Sequence, residues 1–250
     1  MIRQESASTS TKITLIKSKS TAFTFTMKKL FSYIIFLAIF SSYFQLSAQT
    51  NTSKLRTGIK LERKLSSKTE LNLEAQFRLK NNWSSFDKVL FEPTLKVDLS
   101  KKLQSGIVYR YENRQNKKLK MISQHRFGTF IRFKHPIKAD WKFKAKSMLQ
   151  YETQSIWGDY NPENNTWINR NQLSIEYDIF GSPISLETGG ELFNLIHTKS
   201  YFDRSRLFTG MKYKLSGKSG ISIYYLYDNE LNGLPQNNAH ILMLMYHIKI

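Results

Sequence analysis

The stretch KTELNLEAQFRLK, residues 68–80, decides the fold because its side chains alternate between two chemistries. Leu71 and Leu73 fall on one side of an extended chain, whereas Glu70 and Glu74 fall on the other. Successive side chains of a β-strand point to opposite faces of the sheet. The stretch is therefore predicted to be a strand with one apolar face and one ionic face.

The same alternation recurs along the rest of the chain, clearly so in residues 141–152 and 170–179. We count eleven such segments, and the remaining ones begin near Leu55, Val89, Leu103, Met121, Ile184, Leu207, Ile221 and Ile241. They run to 10–13 residues, whereas a tilted strand needs about 9–11 residues to cross a bilayer. A half-buried soluble sheet alternates too and stays open as an alternative, but its strands are usually about five or six residues long.

Aromatic residues and connector lengths agree with a membrane barrel. The apolar faces end in aromatics, namely Trp83, Tyr109, Tyr111, Trp141, Tyr151, Trp157, Trp167 and Tyr227. Short connectors near residues 66–67, 100–102, 181–183 and 216–218 alternate with longer polar ones at 153–165, 197–204 and 228–238. Aromatic girdles, short periplasmic turns and long outer loops are typical of outer-membrane barrels.

The sequence therefore predicts an all-β fold, an antiparallel up-and-down transmembrane β-barrel of about 10–12 strands. Bacterial barrels of this kind have an even number of strands. For that reason we expect ten or twelve strands rather than the eleven segments counted.

A signal peptide is predicted at residues 27–48, with the barrel at residues 49–250. Residues 28–29 are basic, residues 30–46 carry no charge, and small residues precede Gln49, as at a cleavage site. The alternative is a transmembrane helix, since such a stretch is close to the minimum length for spanning a bilayer. Cleaved export and a barrel together predict an outer-membrane location.

Residues 1–26 lie before a Met that has a complete signal behind it, and they show no hydrophobic period. They are interpreted as a misassigned start. A genuine disordered extension is the alternative.

The chain from residue 49 onward keeps a net charge of +14, because residues 1–48 contain six Lys or Arg and one Glu. A charge of this size suggests anionic partners. For an exported chain we expect outer-membrane lipid and lipopolysaccharide rather than nucleic acid. Residues 242–250 alternate up to an apolar last residue, which predicts recognition by the barrel-assembly machinery.

Charged residues on the polar faces are the candidate functional residues, because a closed barrel would turn them toward its lumen. The candidates are Arg78, Glu92, Arg110, Glu112, Arg126, Arg132, Glu152, Arg170, Glu176, Glu191 and Arg206. They could line a path for water or a polar ligand. Alternatively, they form cross-strand ion pairs that fill a narrow lumen, and this structural interpretation is preferred.

No catalytic, cofactor-binding or metal-binding residue is predicted. The chain has no Cys, no glycine-rich phosphate loop and no clustered metal ligands. A lipid hydrolase of the phospholipase or lipid A deacylase type is the runner-up to a structural or binding protein or a narrow solute conduit. None of the five His residues stands in a His-x-Ser arrangement on one face of a strand, so the chain is not expected to be an enzyme. A soluble periplasmic β-protein is the third possibility.

Four short motifs stand out: residues 123–127 (SQHRF), Arg170 ahead of a strand ending in Tyr177, residues 190–193 (GELF) and residues 202–213 (FDRSRLFTGMKY). In these motifs the chain resembles the domain-of-unknown-function family numbered 2490. The resemblance extends from about Gln49 to Ile250. It implies an exported outer-membrane barrel of Gram-negative-type bacteria, and it implies no activity.

Overall fold

The computed structural model describes residues 50–115, 120–153, 165–196, 201–215, 217–231 and 237–250. Within these ranges there are eleven strands: β1 (Thr50–Lys64), β2 (Thr69–Lys80), β3 (Ser85–Asp98), β4 (Leu103–Gln115), β5 (Met121–Lys138), β6 (Trp141–Thr153), β7 (Thr166–Asp178), β8 (Ile184–Ile196), β9 (Tyr201–Lys214), β10 (Ser219–Glu230) and β11 (Asn237–Lys249). This part of the chain contains no helix long and apolar enough to span a membrane. The predicted extension (1–26) and signal peptide (27–48) lie outside it, and both stay predictions.

The strands form one closed barrel in which each strand from β2 to β10 pairs antiparallel with its two neighbours in sequence. The strands are 12 to 18 residues long. Closure gives the backbone N–H and C=O groups of every strand partners on both sides, so the sheet has no open edge. The all-β barrel predicted from the alternation is confirmed.

The described residues close the barrel with eleven strands, so the preference for ten or twelve is wrong. With an odd number, β1 and β11 run in the same direction, and they close the barrel as a parallel pair. The parallel register extends from Thr50 opposite Asn237 to Glu62 opposite Lys249. A parallel ladder pairs backbone groups as completely as an antiparallel one, so closure does not require an even number.

The connectors differ less between the two ends of the barrel than the sequence suggested. We call one end the tight-turn end; its connectors are 65–68, 99–102, 139–140, 179–183 and 215–218. The connectors at the opposite end are 81–84, 116–120, 154–165, 197–200 and 231–236. Residues 81–84 thus form a turn as short as those at the tight-turn end. There Asn81, Asn82 and Trp83 take positive φ angles of 53°, 57° and 68°.

Most apolar side chains lie on the outside of the barrel and most polar ones on the inside, although two small apolar clusters around Ile241 and Phe130 are buried. Ile107 and Leu173 point outward and are 61% and 58% exposed, whereas Glu112 and Gln150 point inward and are each 1% exposed. A barrel stable as a soluble protein would have the opposite distribution, because burial of apolar surface drives its folding.

Aromatic residues on the outer face gather near both ends of the barrel. Trp141 packs on Tyr177 beside the tight turns, with ring centroids 4.7 Å apart. Tyr151 packs on Trp167 near the opposite end, with centroids 5.0 Å apart. Of the predicted aromatic residues, Trp157 lies outside the described residues.

The parallel closure can be tested by disulfide cross-linking, because the chain contains no Cys. Leu55 lies opposite Leu242, and Leu61 lies opposite Ile248. Cysteines placed at either pair should form a disulfide, since neighbouring strands bring Cα atoms within the required distance of about 4.4–6.8 Å. Mass spectrometry after oxidation of the refolded barrel measures the yield.

The control joins positions that the register keeps apart, with Cys at positions 55 and 248. Little cross-linking is expected from this variant. A high yield from the control together with a low yield from both register pairs would contradict the parallel seam.

Candidate functional site in the barrel lumen

A cavity of about 1070 Å³ occupies the lumen. Its lining reaches Glu62 and His247 near the tight-turn end, and Arg114 and Asp203 near the opposite end. One continuous space therefore extends along most of the strand length.

Ten of the eleven candidate residues line this cavity: Arg78, Arg110, Glu112, Arg126, Arg132, Glu152, Arg170, Glu176, Glu191 and Arg206. The eleventh, Glu92, accepts a hydrogen bond from Nε of Arg110. The structure thus brings all eleven residues together around the lumen.

A first series of ion pairs lies along the wall from β1, across the seam, through β10, β9 and β8 to β7. Arg56 lies 3.8 Å from Asp228, and Asp228 also accepts a 3.0 Å hydrogen bond from Nη2 of Arg206. Glu191 then contacts two guanidinium groups, that of Arg206 at 3.1 Å and that of Arg170 at 2.7 Å. The carboxylate of Glu191 on β8 therefore binds one arginine from each of the two flanking strands, β7 and β9.

A second series covers β3 to β6. Glu112 accepts hydrogen bonds from Lys88 at 2.6 Å and from Arg110 at 3.2 Å, and Arg126 lies 3.9 Å from it. Arg110 also binds Glu92, and Arg126 binds Glu152. Gln150 of β6, the strand that also carries Glu152, accepts a 3.2 Å hydrogen bond from Arg170 of the first series.

Together these residues form what we call the charged belt: Arg56, Lys88, Glu92, Arg110, Glu112, Arg126, Glu152, Arg170, Glu191, Arg206 and Asp228. Arg110 and Glu112 lie on the same strand, and every other ion pair joins residues one or two strands apart, so the pairs run along the wall. The cross-strand ion pairs expected from the sequence are present, and a cavity of about 1070 Å³ remains beside them in the lumen. Arg78 is not part of the belt, because its Nε donates a 2.8 Å hydrogen bond to the neutral side-chain amide of Gln76 rather than to a carboxylate.

A second network lies closer to the tight turns. Lys144 and Lys212 each contact both Glu176 and Glu187, at 2.6 to 3.1 Å. Tyr224 donates a 2.7 Å hydrogen bond to Glu187. Among these residues Glu176 is one of the eleven candidates. Tyr224 could have been found from the alternation, because its neighbours Ile223 and Tyr225 belong to the opposite, apolar face.

Two lumen-facing aromatic rings lie flat on glycines of the neighbouring strands. A Cβ added at Gly210 would stand 2.3 Å from Cδ1 of Tyr224, and one added at Gly106 would stand 2.7 Å from Cζ of Phe130. Any larger residue would push the ring toward the centre of the barrel. These glycines therefore help to keep the lumen open.

Serine and histidine meet at one place in the lumen, where Ser222 Oγ lies 2.8 Å from Nε2 of His247. On the outer wall, Ser123 bonds to Tyr111 and His125 bonds to Tyr109. The order Ser-x-His at 123–125 is the reverse of the arrangement sought in the sequence. No carboxylate is seen to orient either His within the described ranges, and no group of three or more possible metal ligands occurs there.

Glu191 is expected to be the most sensitive residue of the belt. Glu191→Gln leaves two guanidinium groups with one fewer charged acceptor, and a hydrogen bond to a charged group is worth about 1.5–3 kcal/mol. We expect the unfolding free energy in detergent to fall by roughly 2–3 kcal/mol, measured by urea titration of heat-modifiable migration.

Glu62→Gln is the matched control, because Glu62 contacts the single cation Lys60 at a more exposed position. An exposed pair is worth about 0–1 kcal/mol. Equal losses in the two variants would contradict the assigned role of Glu191.

The comparisons with known proteins agree with the motifs and the fold. The model of the family described as Protein of unknown function (DUF2490) matches residues 55–238. No curated protein and no solved structure matches the chain. The match covers well over half of the sequence, from β1 to the start of β11, so the chain belongs to the DUF2490 family.

Proposed function

We propose that this chain is an outer-membrane β-barrel that acts as a narrow, water-filled conduit for small polar solutes. The observation that carries the proposal is a cavity that extends along most of the strand length and is lined mainly by charged side chains. Charged side chains outnumber the apolar ones of this lining, which include Phe193, Phe208 and Met245, so a polar solute would meet mostly polar groups on its way.

The outer face supports insertion into a membrane. Exposed apolar side chains cover the strands, and strands of 12 residues or more are long enough for a tilted crossing. Aromatic residues near both ends would sit at the two interfaces of the bilayer. Lipid and lipopolysaccharide are the proposed partners of this face, and the barrel-assembly machinery would insert it.

The predicted signal peptide supports export to the outer membrane. Its removal would leave residue 49 directly before β1, which starts at the end opposite the tight turns. If the tight turns face the periplasm, as is usual, the chain begins on the outer side and ends on the periplasmic side.

The size of the barrel supports a conduit for small molecules. Barrels of about eight strands are filled by side chains, whereas barrels of about 16 strands leave a wide channel. Eleven strands with a charged belt held against the wall give an intermediate width, consistent with a cavity of about 1070 Å³.

Conductance across a planar bilayer tests the conduit. The unmodified barrel should give small, stable currents, and a thiol reagent should block them in Gln172→Cys, since Gln172 lines the cavity. The chain has no Cys of its own, so the reagent has a single target.

Leu173→Cys is the control, because the neighbouring side chain points outward and is 58% exposed there. The reagent should leave its current unchanged. A correctly inserted barrel without current would reject the conduit and favour a binding or structural protein. Recovery of the protein in the soluble periplasmic fraction would reject the membrane location.

A further inference from the structure

Cations face each other across β5 and β6 on the lumen side. Arg132 lies opposite Lys146, and Lys134 lies opposite Lys144. Like charges directly opposite on neighbouring strands repel each other. Glu176 and Glu187 of the second network neutralise Lys144. The repulsion among Arg132, Lys134 and Lys146 is not offset in this way.

The three remaining residues, Arg132, Lys134 and Lys146, form what we call the cation patch. All three line the cavity, and within the described ranges none has a carboxylate at ion-pair distance. This sets the patch apart from the belt, in which each cation contacts at least one carboxylate.

The groups that Arg132 and Lys146 contact directly are neutral. Nη1 of Arg132 donates a 3.2 Å hydrogen bond to Gln104, and Nζ of Lys146 lies 4.6 Å from the ring centroid of Phe130. Across β7, Gln172 lies opposite Lys146. An amide or a ring can stabilise a cation, but neither supplies the negative charge that would offset the repulsion.

We propose that the cation patch binds the oxyanion group, phosphate or carboxylate, of a small solute inside the lumen. Arg132 offers a planar fork that matches two oxyanion oxygens, and the two lysines add mobile positive charges. A bound oxyanion would attract all three cations and so offset the repulsion between them. One part of the proposal rests on the proposed function: if the barrel is a conduit, the cation patch makes it selective for anions.

The charge of the whole cavity favours the same class of solute. Its lining contains eighteen Lys or Arg and eleven Asp or Glu, an excess of seven positive charges. Such a lining concentrates anions from solution. The patch supplies a local site within that field, because the belt cations are already occupied by carboxylates.

Binding of inorganic phosphate to the refolded barrel in a zwitterionic detergent tests the site. Isothermal titration at low ionic strength should show saturable binding to the unmodified protein. The double substitution Arg132→Gln and Lys146→Gln should weaken it at least tenfold. Acetate in place of phosphate shows whether a carboxylate serves as well; binding of either anion supports the site.

The control removes the same charge elsewhere in the lumen, by Lys60→Gln together with Lys96→Gln. Each of these lysines already contacts a carboxylate, so phosphate affinity should change less than twofold. An equal loss in both double variants would overturn a local site. The single variant Lys134→Gln, expected to bind phosphate severalfold more weakly, replaces the patch variant if that variant loses heat-modifiable migration.

Bilayer recordings separate this proposal from the conduit. Saturable phosphate binding without conductance keeps the site and rejects the conduit. Conductance without saturable binding of either anion rejects the site and keeps the conduit. A reversal potential that indicates cation preference would overturn the proposed anion selectivity.

Discussion

The fold depends on closure of a sheet in which most strands carry their charges on one face. These strands place ionic side chains on the inner face and apolar ones on the outer face, whereas β11 has Ile241, Met243 and Met245 on its inner face. Buried charges are costly unless they have partners. Closing the sheet turns the ionic faces toward one another, where the charged belt pairs them. Closure also satisfies the backbone at every strand edge, including the parallel seam between β1 and β11. The apolar faces are then left on the outside, and the proposed membrane is what would cover them.

The direction of the ion pairs determines whether the lumen can work as a passage. Glu191 holds Arg170 and Arg206 along the wall, and Asp228 holds Arg206 and Arg56 in the same way. Long side chains bound in this manner support the barrel and leave space between them. The three cations of the cation patch lie side by side without such carboxylates among the described residues, which is why we assign the patch to a solute rather than to the structure.

Much of the fold could be predicted from the sequence, because alternation with a period of two identifies strands and their faces at once. All eleven segments are strands, and the candidate residues face the lumen. The even number of strands was a general rule that this closure does not obey. The partners in each ion pair could not be predicted, because Arg170 and Glu191 come together only through the register between β7 and β8. Arg132 of the cation patch was a candidate, whereas Lys134 and Lys212 were not. That Arg132, Lys134 and Lys146 lie side by side could not be predicted for the same reason, because one strand alone does not show which charges lie beside it.

The most direct test of the account is the cost of charge on the outer face at two depths. Leu173 lies in the middle of β7, whereas Ile196 ends β8; both point outward. For folding into lipid vesicles, Leu173→Arg should cost about 2–4 kcal/mol and Ile196→Arg about 0–1 kcal/mol. Equal and negligible costs at the two positions would contradict a barrel that spans a bilayer with its charged faces enclosed.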